Sequence, residues 1–292
     1  MLKRIMVVAV SLLLACLAGG SPVYASGPGY YYAGATQSGV GSAAKGMSAK
    51  IYVANPYRQA NAGEHIAMEI TGHDTNAAND NTVGLGWIKN GSGAGGPRLF
   101  LDWWKGGVSQ TSCWFGCATW VDNAANPIDL GADLTTVAAG CNGSTTLGCV
   151  KQFVFQYFSG VGCGGSTNSV WFYYDTVAIG CLPDTAVPGT TTFDEYKAFG
   201  EVYYGGGGTA PCTDMGNGKY ATATASASGS AFITSIGYTG TGAPTPSLTM
   251  AANTDSGAYT ALSVGSPGNR TFTVDGPGRT STGGTPGNAG SC

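Results

Sequence analysis

Residues 66–71 read IAMEIT and residues 82–89 read TVGLGWIK. Successive side chains of an extended chain point to opposite faces. In the first stretch Ile66, Met68 and Ile70 therefore share one face, with Ala67 and Glu69 on the other. In the second, Val83, Leu85 and Trp87 share a face and Gly84, Gly86 and Ile88 oppose them. Neither stretch repeats its apolar residues at the three- and four-residue steps of a helix. The pattern spreads outward. Residues 49–54 (AKIYVA) alternate and stop at Asn55-Pro56, a turn signal. Residues 98–104, 152–158, 170–176 and 199–204 are further apolar or aromatic runs bounded by Gly, Pro or Asn, and short runs continue over 219–274. No window longer than ten residues beyond the leader keeps a 3.6-residue period. Many short strands without helical partners predict an all-β fold, an antiparallel β-sandwich.

Composition supports this. The 49 Gly and 13 Pro make about a fifth of the 292 residues, below the roughly 25–30% of a disordered low-complexity chain. Charged residues are 10%, against a usual ~25%, and long surface helices need charged wet faces. A net charge of −3 gives no electrostatic support for binding phosphate backbones, so no nucleic-acid partner is expected. With only His65 and His73, a His-based metal site or a Ser/His triad is not expected, and no cofactor is called for.

Residues 1–25 read as an export signal. Lys3 and Arg4 precede an apolar run over 5–18, too short to span a bilayer, and Val23-Tyr24-Ala25 suits signal peptidase. The less favoured alternative is an imperfect lipobox, Leu13-Leu14-Ala15-Cys16, with Cys16 as a lipid anchor. No later segment suits a membrane span. The expected organisation is an N-terminal extension over 26–48, one β-sandwich domain over 49–276, and a Gly/Thr-rich tail over 277–292. An exported chain with eight remaining cysteines implies disulfides. They are Cys113, Cys117, Cys141, Cys149, Cys163, Cys181, Cys212 and Cys292. Of the 105 connectivities that eight cysteines allow, sequential pairing is the expectation: Cys113–Cys117, Cys141–Cys149, Cys163–Cys181 and Cys212–Cys292.

Most acids lie in Asn-, Gly- and Thr-rich turns, where a solvated Asx turn is the ordinary reading. Glu69 and Glu201 lie within strands, the second in FGEVYY before Gly205–Gly208. A carboxyl on a strand among aromatics and glycines loses water, and a protonated acid beside an ionised one can activate a water molecule. The ordinary alternative is an exposed strand position.

The order of motifs resembles the neprosin family, secreted glutamic endopeptidases that prefer proline. The resemblance runs over residues 49–218. Ile51-Tyr52-Val53-Ala54-Asn55-Pro56 resembles the family's opening strand, and His65–Ile70 a strand of bacterial members. Asn81-Thr82-Val83-Gly84-Leu85-Gly86-Trp87 resembles Asn-Thr-Ile/Val-Glu-x-Gly-Trp, and Leu99–Trp104 resembles Leu-Phe-x-x-Trp. Cys113-Trp114-Phe115-Gly116-Cys117 resembles a small cysteine loop, and Ser169–Phe172 with Ile179-Gly180 and Pro183 a Trp-rich strand and turn. Gly200-Glu201-Val202 resembles Gly-Gly-Glu-Val, and Cys212–Gly218 a stretch of bacterial members.

The resemblance implies a β-sandwich and two glutamates that hold a water across a sheet. Glu201 matches the second glutamate. Gly84 stands where the first belongs, and Cys181 stands where the family's turn carries tyrosine. If HIAMEI and TVGLGW pair as a hairpin, Glu69 lies on the neighbouring strand and, where the register allows, on Gly84's face, and becomes the candidate second acid. Trp87, Trp104 and Tyr203 are the candidate substrate-binding aromatics, a peptide or protein is the expected partner, and polysaccharide is a second candidate. The leading function is an endopeptidase cleaving proline-containing peptides at acid pH, and a glutamate introduced at position 84 is expected to raise its activity. The alternative is a catalytically impaired homologue that binds peptide or glycan or serves as a structural secreted protein. Oligomeric state is left open.

Overall fold

Alternating strands dominate the computed structural model, which describes residues 30–56, 65–90, 95–134, 149–203, 215–216, 231–253, 260–264 and 270–275. The first sheet contains β1 (Tyr30–Ser38), β3 (His65–Asp74), β4 (Asn81–Asn90), β5 (Arg98–Lys105), β6 (Val108–Ser109), β11 (Glu195–Tyr203) and β13 (Thr249–Asn253). Its spatial order is β13-β1-β11-β3-β4-β5-β6. The second contains β2 (Gly46–Val53), β7 (Val121–Asp122), β8 (Cys149–Phe158), β9 (Ser169–Tyr174), β10 (Val177–Pro183), β12 (Phe232–Thr239), β14 (Thr260–Ser263) and β15 (Phe272–Asp275). Its order is β14-β15-β12-β2-β8-β9-β10-β7. The strand pairs are antiparallel, and no α-helical element stands among the described residues.

One face of each sheet is apolar, and the two faces bury each other. Ile66, Met68 and Ile70 of β3, Val83, Leu85 and Trp87 of β4, and Leu99, Leu101 and Trp103 of β5 join Phe153, Phe155, Phe172 and Tyr174 in one core. This is the alternation expected from IAMEIT and TVGLGWIK, and it leaves Glu69 and Gly84 on the opposite, outer face.

The N-terminal boundary needs correction. Residues 26–48 were expected as an extension, yet β1 lies inside the first sheet between β13 and β11, and β2 begins at Gly46. Ala33 and Ala35 point inward and are fully buried, so this strand is part of the core. Its small apolar residues and interspersed Gly34, Thr36 and Gln37 give a weak hydrophobic alternation, which explains why its sequence did not mark it.

Two disulfides form as expected, Cys113–Cys117 and Cys163–Cys181. The second ties the approach to β9 to β10, across their hairpin. The signal segment, the tail, Cys141, Cys212 and Cys292 lie outside the described residues, so the other two pairings do as well.

Candidate active site

Register decides which side chains meet on the outer face. Between β3 and β11, Ala67 pairs with Glu201 and Glu69 with Phe199. Glu69 and Glu201 are therefore diagonal neighbours, a relation that spans about 7–8 Å between backbones. On the other edge of β3, Glu69 pairs with Gly86, while Gly84 pairs with Asp102 of β5. Both β4 positions lack side chains, and the Glu69 and Asp102 carboxyls, on the strands flanking β4, interact directly enough to shift each other's titration. Gly86 is needed for this approach, because a β-carbon there would collide with the Met68 carbonyl and the Glu69 side chain.

The electrostatics follow from this crowding. Glu69 is buried, and one carboxyl oxygen, Oε2, is sealed from solvent with no N–H or O–H donor. Burial first, then the charges of Asp102 and Glu201 and the bond to Asp102, push its pKa well above the ordinary carboxyl range. Asp102 is half-buried and accepts a hydrogen bond at Oδ1 from the Trp104 indole at 2.9 Å. Burial and the Glu201 charge raise it to about 7 despite that bond and the nearby Lys197.

Glu201 is held from two sides. His65 Nε2 lies 2.5 Å from Oε1, and the Tyr32 hydroxyl donates to the same carboxylate. The His65 ring is itself fixed by stacking on Tyr203 and by an edge contact with Trp114, each 5.3 Å between ring centres. Tyr30 packs on Tyr203 at 4.5 Å. Burial, reinforced by the Glu201 charge, raises the Tyr30 hydroxyl to about 12 and that of Tyr32 further, so both stay protonated donors.

Four and six residues along the same strands the face carries a different cluster. His73 pairs with Glu195 in register, and its two ring nitrogens face Glu195 at 3.4 Å and Asp80 at 2.9 Å. Lys197 and Ser38 also reach Glu195, at 2.6 Å and 2.9 Å. Burial alone would raise the Glu195 pKa, but the bonds from His73, Lys197 and Ser38 and the Lys197 charge outweigh it and hold it at about 2.

The face thus brings Glu69 and Glu201 together, with Tyr203 beside them. Trp104 is 38% exposed on the same face and touches Asp102. The expectation for Trp87 is corrected: it is fully buried between the sheets, and its indole donates to the Tyr52 carbonyl at 2.9 Å. Its own alternation, on the face opposite Gly84, carries that information. Sequence reasoning missed Asp102, His65 and Tyr32 as site residues. Asp102 was discoverable from LFLDWW, where Leu99, Leu101 and Trp103 point inward and leave Asp102 outward. Among the described residues no group of three His, Cys, Asp or Glu side chains is arranged to hold a metal ion.

Arranged this way, the face can donate a proton from one carboxyl and accept one at another. Comparison with known proteins adds a family match, Neprosin, over residues 63–277. The chain is also similar to a solved structure described as Scytalido-glutamic peptidase with a peptide based transition state analog. That likeness has 12% identity and a TM-score of 0.45, covering 84% of this chain and 97% of that one. No curated protein matches the chain.

Proposed function

We propose that this chain, which belongs to the neprosin family, is an endopeptidase that hydrolyses peptide bonds with a water activated between Glu69 and Glu201. The observation that carries the reading is one outer face on which a carboxyl held protonated, Glu69, neighbours a second carboxylate gripped by His65 and Tyr32. General acid–base catalysis needs those two states side by side.

The chemistry balances within the pair. Glu201 takes a proton from water as the water oxygen bonds to the scissile carbonyl carbon, and Glu69 gives its proton to the carbonyl oxygen. The tetrahedral species then collapses. Its C–N bond breaks, the departing nitrogen takes the proton from Glu201, and a hydroxyl proton returns to Glu69. A free acid and a free amine leave, and both carboxyls regain their starting states. Tyr203, Tyr30 and Trp104 supply flat surfaces near the carboxyls on which a proline ring can stack.

Family resemblance supports export and a preference for proline-containing peptides. The pH dependence follows from Glu69. A general acid works only while protonated, so a raised pKa moves the loss of activity upward. Cleavage should therefore extend from acid toward neutral pH and fall on the alkaline side. The test is incubation of the purified protein with proline-containing peptides from pH 3 to 8, with products read by mass spectrometry. Cleavage lost in Glu201→Gln supports the reading, and a rate that keeps rising past neutrality rules it out.

Gly84 favours one second reading, a peptide- or glycan-binding homologue without turnover. Retained peptide binding with no hydrolysis at any pH would select it.

A further inference from the structure

We infer that Asp102 is a positioning residue that shares a single proton with Glu69 across the glycines of β4, holding Glu69 in the form that donates to a substrate carbonyl. The catalytic part of this inference rests on the peptidase reading above, whereas the proton sharing rests on where β3, β4 and β5 place the two carboxyls.

Four observations converge. First, Asp102 is the direct cross-strand partner of Gly84, and Glu69 that of Gly86. Both residues stand on the outer face, on the strands flanking β4, beside the position where the family pattern places a glutamate. Second, that strand has no side chain at either position, and the Glu69 β-carbon packs so close over Gly86 that no β-carbon fits there. Third, each carboxyl shifts the other's titration directly. Two ionised carboxylates offer only acceptors, so a bond between them requires one proton on the pair. Fourth, Glu69 Oε2 is buried with no other donor from the protein, and a buried acceptor without a donor is costly.

The surrounding charges favour the same count. Glu201 and Lys197 face the pair from β11, His65 stands on β3, Tyr30 and Tyr32 on β1, and Arg98 on β5. Lys197 already serves Glu195 at 2.6 Å. Full ionisation would put three carboxylates on adjoining positions of one face, a like-charge arrangement that retains a proton. Substrate would meet a pair that yields its proton from Glu69 and recovers it at the end of the cycle, with no further reagent.

The experiment is carbon-13 NMR of labelled Asp and Glu carboxyls, titrated in the intact protein. In wild type the Glu69 carboxyl should titrate in two coupled steps, the upper one far above the ordinary carboxyl range. In Asp102→Asn it should titrate in one step at lower pH, because a neighbouring charge is gone and an amide can donate to it. Glu69→Gln should leave Asp102 titrating in one step instead of two, which answers the question if the first variant fails to fold. An unchanged Glu69 titration in Asp102→Asn, or an unchanged Asp102 titration in Glu69→Gln, overturns the inference. Kinetics separate it from the peptidase reading. Asp102→Asn should lower kcat by about 10- to 100-fold, leave KM nearly unchanged and move the alkaline limb to lower pH, with Asp102→Glu restoring much of the rate. Coupled titration without peptide cleavage by wild type removes the peptidase reading and keeps the pair. Cleavage with independent titration removes the pair and keeps the peptidase reading.

Discussion

Two buried carboxyl clusters share one face of the first sheet and resolve burial in opposite ways. Around Glu195, His73, Lys197 and Ser38 supply donors and positive charge, so the carboxylate stays ionised down to about pH 2. Around Glu69, the neighbours are Asp102 and Glu201, so the carboxyl keeps its proton far above the usual range. The positions differ by two side-chain repeats along β3 and three along β11. Burial acts the same way at both, and partner charge decides the sign. The first arrangement makes a structural tie between strands. The second leaves a proton available for transfer, which is what a catalytic site needs.

The largest expected effect breaks the second cluster chemically. Glu201→Gln and Glu69→Gln should each lower kcat/KM on a proline-containing peptide by about 10²–10⁴-fold, with folding judged by circular dichroism. A loss below tenfold would remove that residue from the acid–base pair. Next in size is Lys197→Met, which removes the cation closest to Glu195. Leaving that carboxylate short of a donor should cost about 1–3 kcal/mol at neutral pH by urea unfolding. Because Lys197 also lowers Asp102, the same change should move the alkaline limb of activity upward.

A third effect separates the clusters by pH. Glu69 and Asp102 have raised native pKa values, so their contribution is present below the unfolded carboxyl range, near pH 4, and is lost as pH rises through their native values. Glu195 has a depressed one, so its contribution is present above that range and is lost as pH falls through about 2. Stability should be greatest near pH 4, falling on both sides. Melting temperatures from pH 2 to 8 check this: Glu69→Gln should flatten the upper fall and Glu195→Gln the lower one. The smallest effect on activity belongs to Gly84→Glu. A β-carbon there would lie 2.6 Å from both the Ile70 carbonyl oxygen and the Thr71 methyl, so strand β3 must yield. The variant should lose stability, by about 1–3 kcal/mol, and gain no activity, contrary to the expectation from the family pattern. A gain of tenfold or more would show that the carboxyl belongs on β4.

Much of the sheet was legible because alternation is a local property. Ile66, Met68 and Ile70 against Ala67 and Glu69 fixed the inner and outer faces of β3, and adjacency of two alternating stretches put Glu69 on the strand next to Gly84, where the register pairs it with Gly86. The disulfide loop at Cys113–Cys117 was readable for the same reason, being only four residues apart. What was missed depends on register or on distant pairing. β1 shows little hydrophobic contrast, and only its place between β11 and β13 makes it core. Asp102 matters because β4 carries glycine at two positions between it and Glu69, a relation across three strands that no single window contains. Trp87 was misread for a simpler reason: aromatic character outweighed the alternation that places it inside.

The most direct test is the pH profile of kcat/KM for a proline-containing peptide, measured with wild type and Glu69→Gln side by side. Wild type should hold its rate from acid toward neutral pH and lose it on the alkaline side as Glu69 gives up its proton, while Glu69→Gln should lose both the rate and that limb. A Glu69→Gln variant that keeps wild-type rates and the same alkaline limb would contradict the account.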